Sequence, residues 1–263
     1  MHDARIRLLG GLLALVAPMV APSAAQPLAV AAAADLQAVL PQLAGRFEQE
    51  TGRQVQLTFG SSGNFFAQIQ NGAPFDVFLS ADLEYPGRLG RAGLAEPRSL
   101  TRYGVGRLAL WTRKDSRIDL RGGLRALLAP RVRRIALANP AHAPYGRAAV
   151  AALRRLGLYE EVRARFVLGE NVSQAAQFVQ SGNADVGLIA LSLAVTPTMN
   201  ASGTHVEVPS FLHPPIEQGA VVLKTARDQA AAREFLAFLG RADSVSLLRA
   251  SGFEVPSAPG PQP

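Results

Sequence analysis

Two short stretches of the chain have residue types and spacing that suit the binding of a small anion. They are Phe59-Gly60-Ser61-Ser62-Gly63-Asn64 and Asn139-Pro140-Ala141-His142-Ala143-Pro144-Tyr145-Gly146. Each follows a strand-like run and precedes a helix-like run. The first turn of a helix carries free backbone N–H groups and the positive end of the helix dipole, so such a turn can hold an anion. The pattern indicates capture of an oxyanion rather than its chemical conversion.

The elements around these stretches alternate between strand and helix along most of the chain. Strand-like runs such as 28–34 and 55–59 are separated by helix-like runs, and 37–50 has apolar residues at helical spacing. This alternation predicts an α/β fold with mostly parallel sheets and helices on both faces. Ligands on such sheets bind at the carboxyl ends of the strands, where both stretches are expected to lie.

The amino terminus has the features of a secretory signal peptide. A short basic head precedes an apolar run from Leu8 to Ala17, and small residues suit cleavage between Ala25 and Gln26. The apolar run is too short to span a bilayer comfortably, which disfavours a retained anchor. The sequence has no cysteine, so it offers no site for a cysteine-linked lipid or a disulfide. We therefore expect a protein of the periplasm that loses residues 1–25.

Charge is distributed unevenly along the chain. The net charge is +7, and segment 102–165 alone has 15 Lys+Arg against 4 Asp+Glu. A basic segment could bind nucleic acid. These residues are nearly all arginines, are scattered and belong to an exported chain, so we expect a solvated surface and no nucleic-acid partner. A weaker interpretation is that the segment steers an anion towards a cleft.

The chain resembles the periplasmic substrate-binding proteins of molybdate ABC transporters over nearly all of 28–253. Small residues around strand ends carry the resemblance, and the segments are Ala31-Ala32-Ala33-Ala34-Asp35-Leu36, Phe59-Gly60-Ser61-Ser62-Gly63, Gly72-Ala73-Pro74-Phe75-Asp76-Val77-Phe78-Leu79-Ser80-Ala81-Asp82, Asn139-Pro140 with Pro144-Tyr145-Gly146, Gly169-Glu170-Asn171-Val172 and Gly252-Phe253. Each segment is a weak signal alone, but their order and spacing are fairly specific.

The resemblance implies a type II periplasmic-binding fold, in which two α/β lobes joined by two crossover segments trap the ligand between them. It places the crossovers near 103–108 and 216–222. Lobe one then comprises 26–105 plus 217–263, and lobe two comprises 106–216. The resemblance also implies a monomer that hands its ligand to a membrane permease with a cytoplasmic ATPase, and no cofactor besides the molybdate or tungstate ligand.

The family binds a tetrahedral dianion through neutral hydrogen-bond donors. The resemblance implies that Ser62 offers its hydroxyl and N–H, and that Ser61 completes the tight turn. It further implies that Tyr145 offers its phenol, while Asp35 and Val172 offer backbone N–H groups. Molybdenum would enter only inside the oxyanion, whose oxygens these groups would contact, so no separate metal site is implied.

Three positions leave the ligand open. Many family members have Ser or Thr where this chain has Ala34, so one hydroxyl donor is missing or is replaced by water. Another branch has Tyr at about the position of Ala190, a role that Tyr145 is expected to take. A carboxylate at Asp35 would repel a dianion or accept a proton from phosphate, unless its side chain caps the following helix.

His142 lies within the second of the two anion-binding stretches, and we expect its side chain to face solvent.

Two other functions stay open. The same fold could bind sulfate or phosphate, although protonated phosphate in an all-donor pocket would leave a proton unpaired, at about 1–3 kcal/mol. The chain could instead be an exported α/β hydrolase that uses Ser62. That alternative is disfavoured because position 64 is Asn64, which breaks the Gly-x-Ser-x-Gly motif. We therefore expect a binding protein and not an enzyme.

Overall fold

The computed structural model describes residues 26–255, so the expected signal peptide and the proline-rich carboxyl-terminal tail lie outside the described residues. The strands are β1 (Leu28–Ala33), β2 (Val55–Gly60), β3 (Val77–Ser80), β4 (Thr101–Gly106), β5 (Leu108–Arg113), β6 (Ile135–Ala138), β7 (Phe166–Gly169), β8 (Val186–Ala190), β9 (Gly203–Glu207) and β10 (Ile216–Val222). The α-helices are α1 (Leu40–Thr51), α2 (Ser62–Gln70), α3 (Glu84–Arg91), α4 (Pro144–Arg155), α5 (Tyr159–Val162), α6 (Val172–Gln180), α7 (Leu191–Ala194), α8 (Pro197–Ser202), α9 (Gln229–Leu239) and α10 (Ala242–Ala250). Short 3-10 turns such as 34–36 connect some of these elements.

The strands form two five-stranded sheets, and the α/β fold expected from the sequence is confirmed. The first sheet has the order β2-β1-β3-β10-β4 and the second has the order β7-β6-β8-β5-β9. We call the halves built on these sheets lobe one and lobe two. In the first sheet β1 pairs in parallel with β2 and β3, and in the second sheet β6 pairs in parallel with β7 and β8.

The sheets are less parallel than the sequence predicts, because the strands nearest the lobe crossings run against their neighbours. β10 is antiparallel to β3 and β4, and β5 is antiparallel to β8 and β9. β10 starts beside Gly106, and β5 starts beside Ala190 at the end of β8. Both strands thus enter their sheets from the carboxyl edge of the parallel strands. The chain crosses between lobes at the edge where ligands bind on such sheets.

The crossings themselves are short. β4 ends at Gly106 and β5 begins at Leu108, while β9 ends at Glu207 and β10 begins at Ile216. Residues 216–222, near which the second crossover was expected, form a strand of the first sheet. The strand arrangement supports our proposal of lobe one as 26–105 plus 217–263 and lobe two as 106–216.

Each lobe has its own apolar core. In lobe one, the ring of Phe47 from α1 packs edge-on against Phe235 and Phe238 from α9, with centroid separations of 5.1 and 5.5 Å. In lobe two, Trp111 on β5 is fully buried among aliphatic side chains. Each core is thus built almost entirely from one lobe, with a few alanines of lobe one packed against the core of lobe two. Within residues 26–255, no helix combines the length and apolar character needed to cross a bilayer.

Candidate anion-binding site

One small cavity lies between the lobes and brings the expected site residues together. Its lining comprises Ala33, Ala34, Asp35, Gly60, Ser61, Ser62, Ala81, Ala143, Pro144, Tyr145, Asn171 and Val172. Every residue singled out from the sequence as a ligand contact is in this set. These expected contacts come from four separate segments of the chain, at 34–35, 61–62, 145 and 172. The segments meet because each follows a parallel strand at the carboxyl edge of its sheet.

The cavity is surrounded by helix starts. α2 begins at Ser62, α4 at Pro144 and α6 at Val172, and the 3-10 turn 34–36 follows β1. The residues before α2 and α4 make no side-chain cap, whereas the Asn171 side chain accepts a hydrogen bond from the Gln174 N–H at 3.0 Å. Uncapped first turns leave N–H groups and positive partial charge at the cavity wall. The arrangement suits an anion that has only acceptor oxygens.

The hydroxyl of Ser62 is positioned to donate. Its oxygen accepts a hydrogen bond from the Ala81 N–H at 2.9 Å, and the residue is only 1% exposed. A hydroxyl has a single proton, and none of the described residues accepts the proton of Ser62. That proton is therefore available to a ligand in the cavity.

The neighbouring Ser61 has a different partner. Its hydroxyl donates to the backbone carbonyl of His142 at 2.7 Å and lies 2.9 Å from His142 Nδ1. The same carbonyl accepts the Gly63 N–H at 2.9 Å. Ser61 and Gly63 belong to lobe one and His142 to lobe two, so these bonds join the lobes. The sequence-based expectation that His142 faces solvent is wrong, because its side chain is only 20% exposed and packs in this contact.

The Asp35 carboxyl group is fully buried and does not cap the following helix. Its Oδ2 accepts a hydrogen bond from the Tyr145 hydroxyl at 3.1 Å and another from Gln218 Nε2. Its backbone carbonyl accepts the Ser192 hydroxyl at 2.7 Å. The helix-cap alternative is therefore not observed. Burial raises the pKa of Asp35 to about 6, although the bonds from Gln218 and Tyr145 act in the opposite direction.

Tyr145 is a neutral phenol in this environment. The residue is 2% exposed, and burial followed by the nearby charge of Asp35 raises the pKa of Tyr145 well above its ordinary value. Its single proton is directed at Asp35 Oδ2, and its oxygen lies 3.3 Å from Gln218 Nε2. The phenol expected to donate to the ligand thus already shares its proton with Asp35.

Gln218 is a residue of this network that the sequence does not reveal. It is fully buried in β10, and its Oε1 accepts the Tyr103 hydroxyl at 2.6 Å. Tyr103 on β4 also lies 3.1 Å from the Ser80 carbonyl. The one weak signal is the position of Gln218 inside the mostly apolar strand β10. A glutamine buried there must find hydrogen-bond partners.

The rim of the cavity is closed by side chains from both lobes. The Arg147 guanidinium of lobe two lies 2.5 Å from Asp82 Oδ2 of lobe one and 5.5 Å from the centre of the Tyr85 ring. Further out, Asn64 Nδ2 lies 3.4 Å from Glu170 Oε2. These contacts and those of His142 show the two lobes in a closed arrangement around the cavity.

Comparison with known proteins agrees with this architecture. Residues 28–254 match the model of the bacterial extracellular solute-binding protein family. The Molybdate-binding protein ModA of Rhodobacter capsulatus is 39% identical over 92% of this chain and 93% of that protein. The Molybdate-binding protein ModA of Azotobacter vinelandii is 39% identical over 85% of this chain and 88% of that protein.

A solved structure is similar as well. The periplasmic molybdate-binding protein of Azotobacter vinelandii superimposes with a TM-score of 0.82 at 37% sequence identity, covering 88% of this chain and 100% of that chain. The likeness extends over both lobes. The chain therefore belongs to the bacterial extracellular solute-binding protein family and, within it, to the periplasmic molybdate-binding proteins of ABC transporters.

Proposed function

We propose that the protein binds molybdate, and also tungstate, between its lobes and delivers it to an ABC transporter permease. The observation that carries this proposal is the convergence of helix starts and the free Ser62 proton on one small interlobe cavity. The expected oxygen contacts are the Ser62 hydroxyl and N–H, the N–H groups of Asp35 and Val172, and the Tyr145 hydroxyl, with Ala34 and Ser61 shaping the turn. The names of the similar proteins support the same ligand.

The chemistry of the cavity favours a doubly charged oxyanion. Neutral N–H and O–H donors suit oxygens that only accept, and their partial charges at helix starts lower the energy of an anion without a lysine or arginine in the lining. A protonated oxyanion must also donate. Molybdate and tungstate are close in size and charge, so we expect the same contacts to serve both.

One observation keeps phosphate as a second candidate. Asp35 is one of the residues that line the cavity, and a carboxylate at this position could accept the proton of hydrogen phosphate. The hydrolase alternative has weaker support. His142 Nδ1 contacts Ser61 rather than Ser62, and Ser62 accepts an N–H from Ala81. We propose a binding role and no catalytic step.

The cellular setting is part of the proposal. The mature chain would begin at Gln26 after removal of residues 1–25, reside in the periplasm as a monomer and dock on a membrane permease served by a cytoplasmic ATPase. Export rests on the amino-terminal sequence and the periplasmic relative. Nothing in this role requires a cofactor.

A thermal-melting panel tests the ligand. The mature protein is melted without anion and with molybdate, tungstate, sulfate or phosphate at equal ionic strength. A ligand at 100 times its Kd adds about 2.7 kcal/mol of stability, which raises Tm by several degrees. We expect a rise with molybdate and tungstate only. A rise with phosphate or sulfate alone would keep the transport role and change the ligand, and no rise with any oxyanion would overturn the proposal.

A further inference from the structure

We propose that Asp35 takes up one proton when the protein captures a dianionic oxyanion, so that ligand binding is coupled to neutralisation of this carboxyl group. This inference rests on the proposed function, because it needs an oxyanion in the cavity between the lobes. It concerns the Asp35 carboxyl group, for which a site that binds its ligand through neutral hydrogen-bond donors has no evident use.

The position of Asp35 is the first step of the argument. Asp35 lies in the lining of the cavity together with the Ser62 and Val172 helix starts. Its carboxyl group is fully buried, and its Oδ1 has no hydrogen-bond partner among the described residues. An ionised Asp35 carboxylate, bonded to Tyr145 of the same lining, would therefore lie close to a dianion held in the cavity. Like charges in a buried, weakly screened environment repel each other, which disfavours an ionised Asp35 beside a bound dianion.

The second step is the lack of a compensating cation. The titratable groups that face the carboxyl group are Tyr145 on α4 and Tyr103 on β4, and both are neutral phenols. β10 contributes the amide of Gln218, whereas the Ser192 hydroxyl of α7 donates to the backbone carbonyl of Asp35 and not to its carboxyl group. Among the described residues in the cavity lining, those from β2 and α6 carry no charge. No cation of this set offsets the repulsion, and protonation of Asp35 would remove it.

The third step is the supply of hydrogen-bond donors. With Asp35 ionised, the single proton of Tyr145 is directed at Asp35 Oδ2 and is unavailable to a ligand. A protonated Asp35 no longer needs that bond, because it carries its own proton and is neutral. Either the Tyr145 hydroxyl or the carboxylic acid itself can then donate to an oxyanion oxygen. One added proton therefore removes a repulsion and releases a donor.

The pH dependence follows with a definite sign. Burial already places the pKa of Asp35 at about 6 in the absence of ligand, and a bound dianion raises that pKa further. Below about pH 6 the group is protonated in both states and affinity is constant. Between the free and bound pKa values, affinity falls as pH rises, by up to about tenfold per pH unit. Above the bound pKa, affinity is constant again at a lower level.

Calorimetric titration of the mature protein with sodium molybdate tests the coupling. Titrations are run at pH values from 5.5 to 9 in pairs of buffers that differ in ionisation enthalpy, so that the difference in heat counts the protons exchanged. We expect the wild type to take up close to one proton per molybdate near neutral pH. The variant Asp35→Asn is expected to take up about none and to bind with little dependence on pH. The exposed-site variant Asp119→Asn is the control and should match the wild type.

Each outcome bears on a different claim. Tight molybdate binding without proton uptake by the wild type would overturn the inference and leave the proposed function intact. Uptake that persists in Asp35→Asn would assign the proton to another group, including the ligand itself. Binding of no oxyanion by the wild type would overturn both. If Asp35→Asn fails to fold, the proton count of the wild type still decides whether uptake occurs, and Asp35→Ser is the second replacement.

Discussion

At the scale of single residues, two adjacent serines have separate tasks. The Ser61 hydroxyl is committed to the His142 carbonyl across the lobe interface, whereas the Ser62 hydroxyl accepts a backbone N–H and keeps its proton free. The sequence predicts that both belong to the turn. Residue type alone does not distinguish them, although the resemblance assigns the donor role to Ser62. The bond of Ser61 depends on the opposite lobe, which the local sequence does not describe.

Replacement of Ser62 by alanine tests the donor directly. We expect Ser62→Ala to weaken molybdate binding by about 1–3 kcal/mol, since a donor to a charged oxyanion is lost and the Ala81 N–H loses its acceptor. The measurement is the Kd from calorimetric titration. Ser246→Ala, on an exposed hydroxyl of α10, is the matched control and should leave the Kd unchanged. An unaltered Kd in Ser62→Ala would remove Ser62 from the site.

Asp35 should also make the unliganded protein less stable at neutral pH than in acid. Its folded-state pKa of about 6 lies above the ordinary value of 3.8, so the native state loses the proton later than the unfolded state. The free energy of unfolding therefore falls as pH rises from about 4 to 6. Above about pH 6 the destabilisation by ionised Asp35 is complete, and it is on the order of 3 kcal/mol.

The variant Asp35→Asn should remove this cost. We expect the free energy of unfolding of the variant to exceed that of the wild type by about 1–3 kcal/mol at pH 8 and to match it near pH 4. Urea denaturation at both pH values measures the difference. Asp115→Asn, at a side chain that is 75% exposed, should show no such pH-dependent gain. Equal stabilities at pH 8 would mean that burial of Asp35 costs little.

At the scale of elements, the strands and helices that form the cavity were largely predictable. Apolar runs and small-residue turns identified β1, β2 and α2 to within a few residues. Several elements, β4 and α3 among them, gave no such signal. β4 has the sequence Thr-Arg-Tyr-Gly-Val-Gly with exposed polar residues and two glycines, and α3 contains Pro86, which a helix tolerates only in its first turn.

The interlobe network was not predictable for a related reason. Gln218 and Tyr103 lie on neighbouring strands of lobe one and meet Tyr145 of lobe two only after both lobes have formed. Periodicity and turn chemistry report on local structure, whereas these contacts depend on tertiary packing. The resemblance to the family supplies the expected positions of the ligand contacts but not the partners of the Asp35 side chain.

The start of α2 offers a test of closure at the level of one element. A Cβ atom at Gly63 would lie 2.7 Å from both the Cβ and the backbone oxygen of His142 in lobe two. It would also approach the Tyr85 hydroxyl at the end of a movable side chain. Alanine is favourable within a helix, so α2 itself should form normally. We expect Gly63→Ala to keep the unliganded fold and to lower molybdate affinity at least about tenfold.

The control for this change is another glycine within a helix. A Cβ atom at Gly45 in α1 meets nothing within 4 Å, so Gly45→Ala should bind molybdate as the wild type does. Both variants are compared by unliganded Tm and by Kd. Wild-type affinity in Gly63→Ala would show that the lobes bind their ligand without the contact at His142.

At the scale of the whole molecule, the contacts that stabilise each lobe differ from the contacts that hold the two lobes closed. Each lobe is held together largely by its own core, while hydrogen bonds and the ion pair of Arg147 with Asp82 join the lobes around the cavity. Hydrogen bonds and ion pairs of this kind are weak singly and form only when the lobes approach. Changes at the rim should therefore alter the population of the closed state rather than the stability of either lobe.

The ion pair between Arg147 and Asp82 is the strongest test of that separation. Arg147 Nη2 lies 2.5 Å from Asp82 Oδ2, and the side chains are 37% and 16% exposed. Asp82 is also fixed by the Tyr85 N–H, 3.0 Å from its Oδ1, so its carboxylate is held ready for the arginine. We expect Arg147→Gln to weaken molybdate binding about 2- to 5-fold, as a partly exposed pair contributes at most about 1 kcal/mol and acts on the closed state alone.

The loss should appear as faster molybdate release, with the unliganded Tm within about 1–2 °C of wild type. Stopped-flow release and calorimetry measure the two quantities, and added NaCl should reduce the difference between the proteins because it screens the pair. Arg121→Gln removes a partner of Asp119 on the surface of lobe two, where Arg121 is 91% exposed, and serves as the matched control. If Arg147→Gln instead lowers the unliganded Tm while release is unchanged, the pair stabilises the fold of the lobes and does not govern their closure.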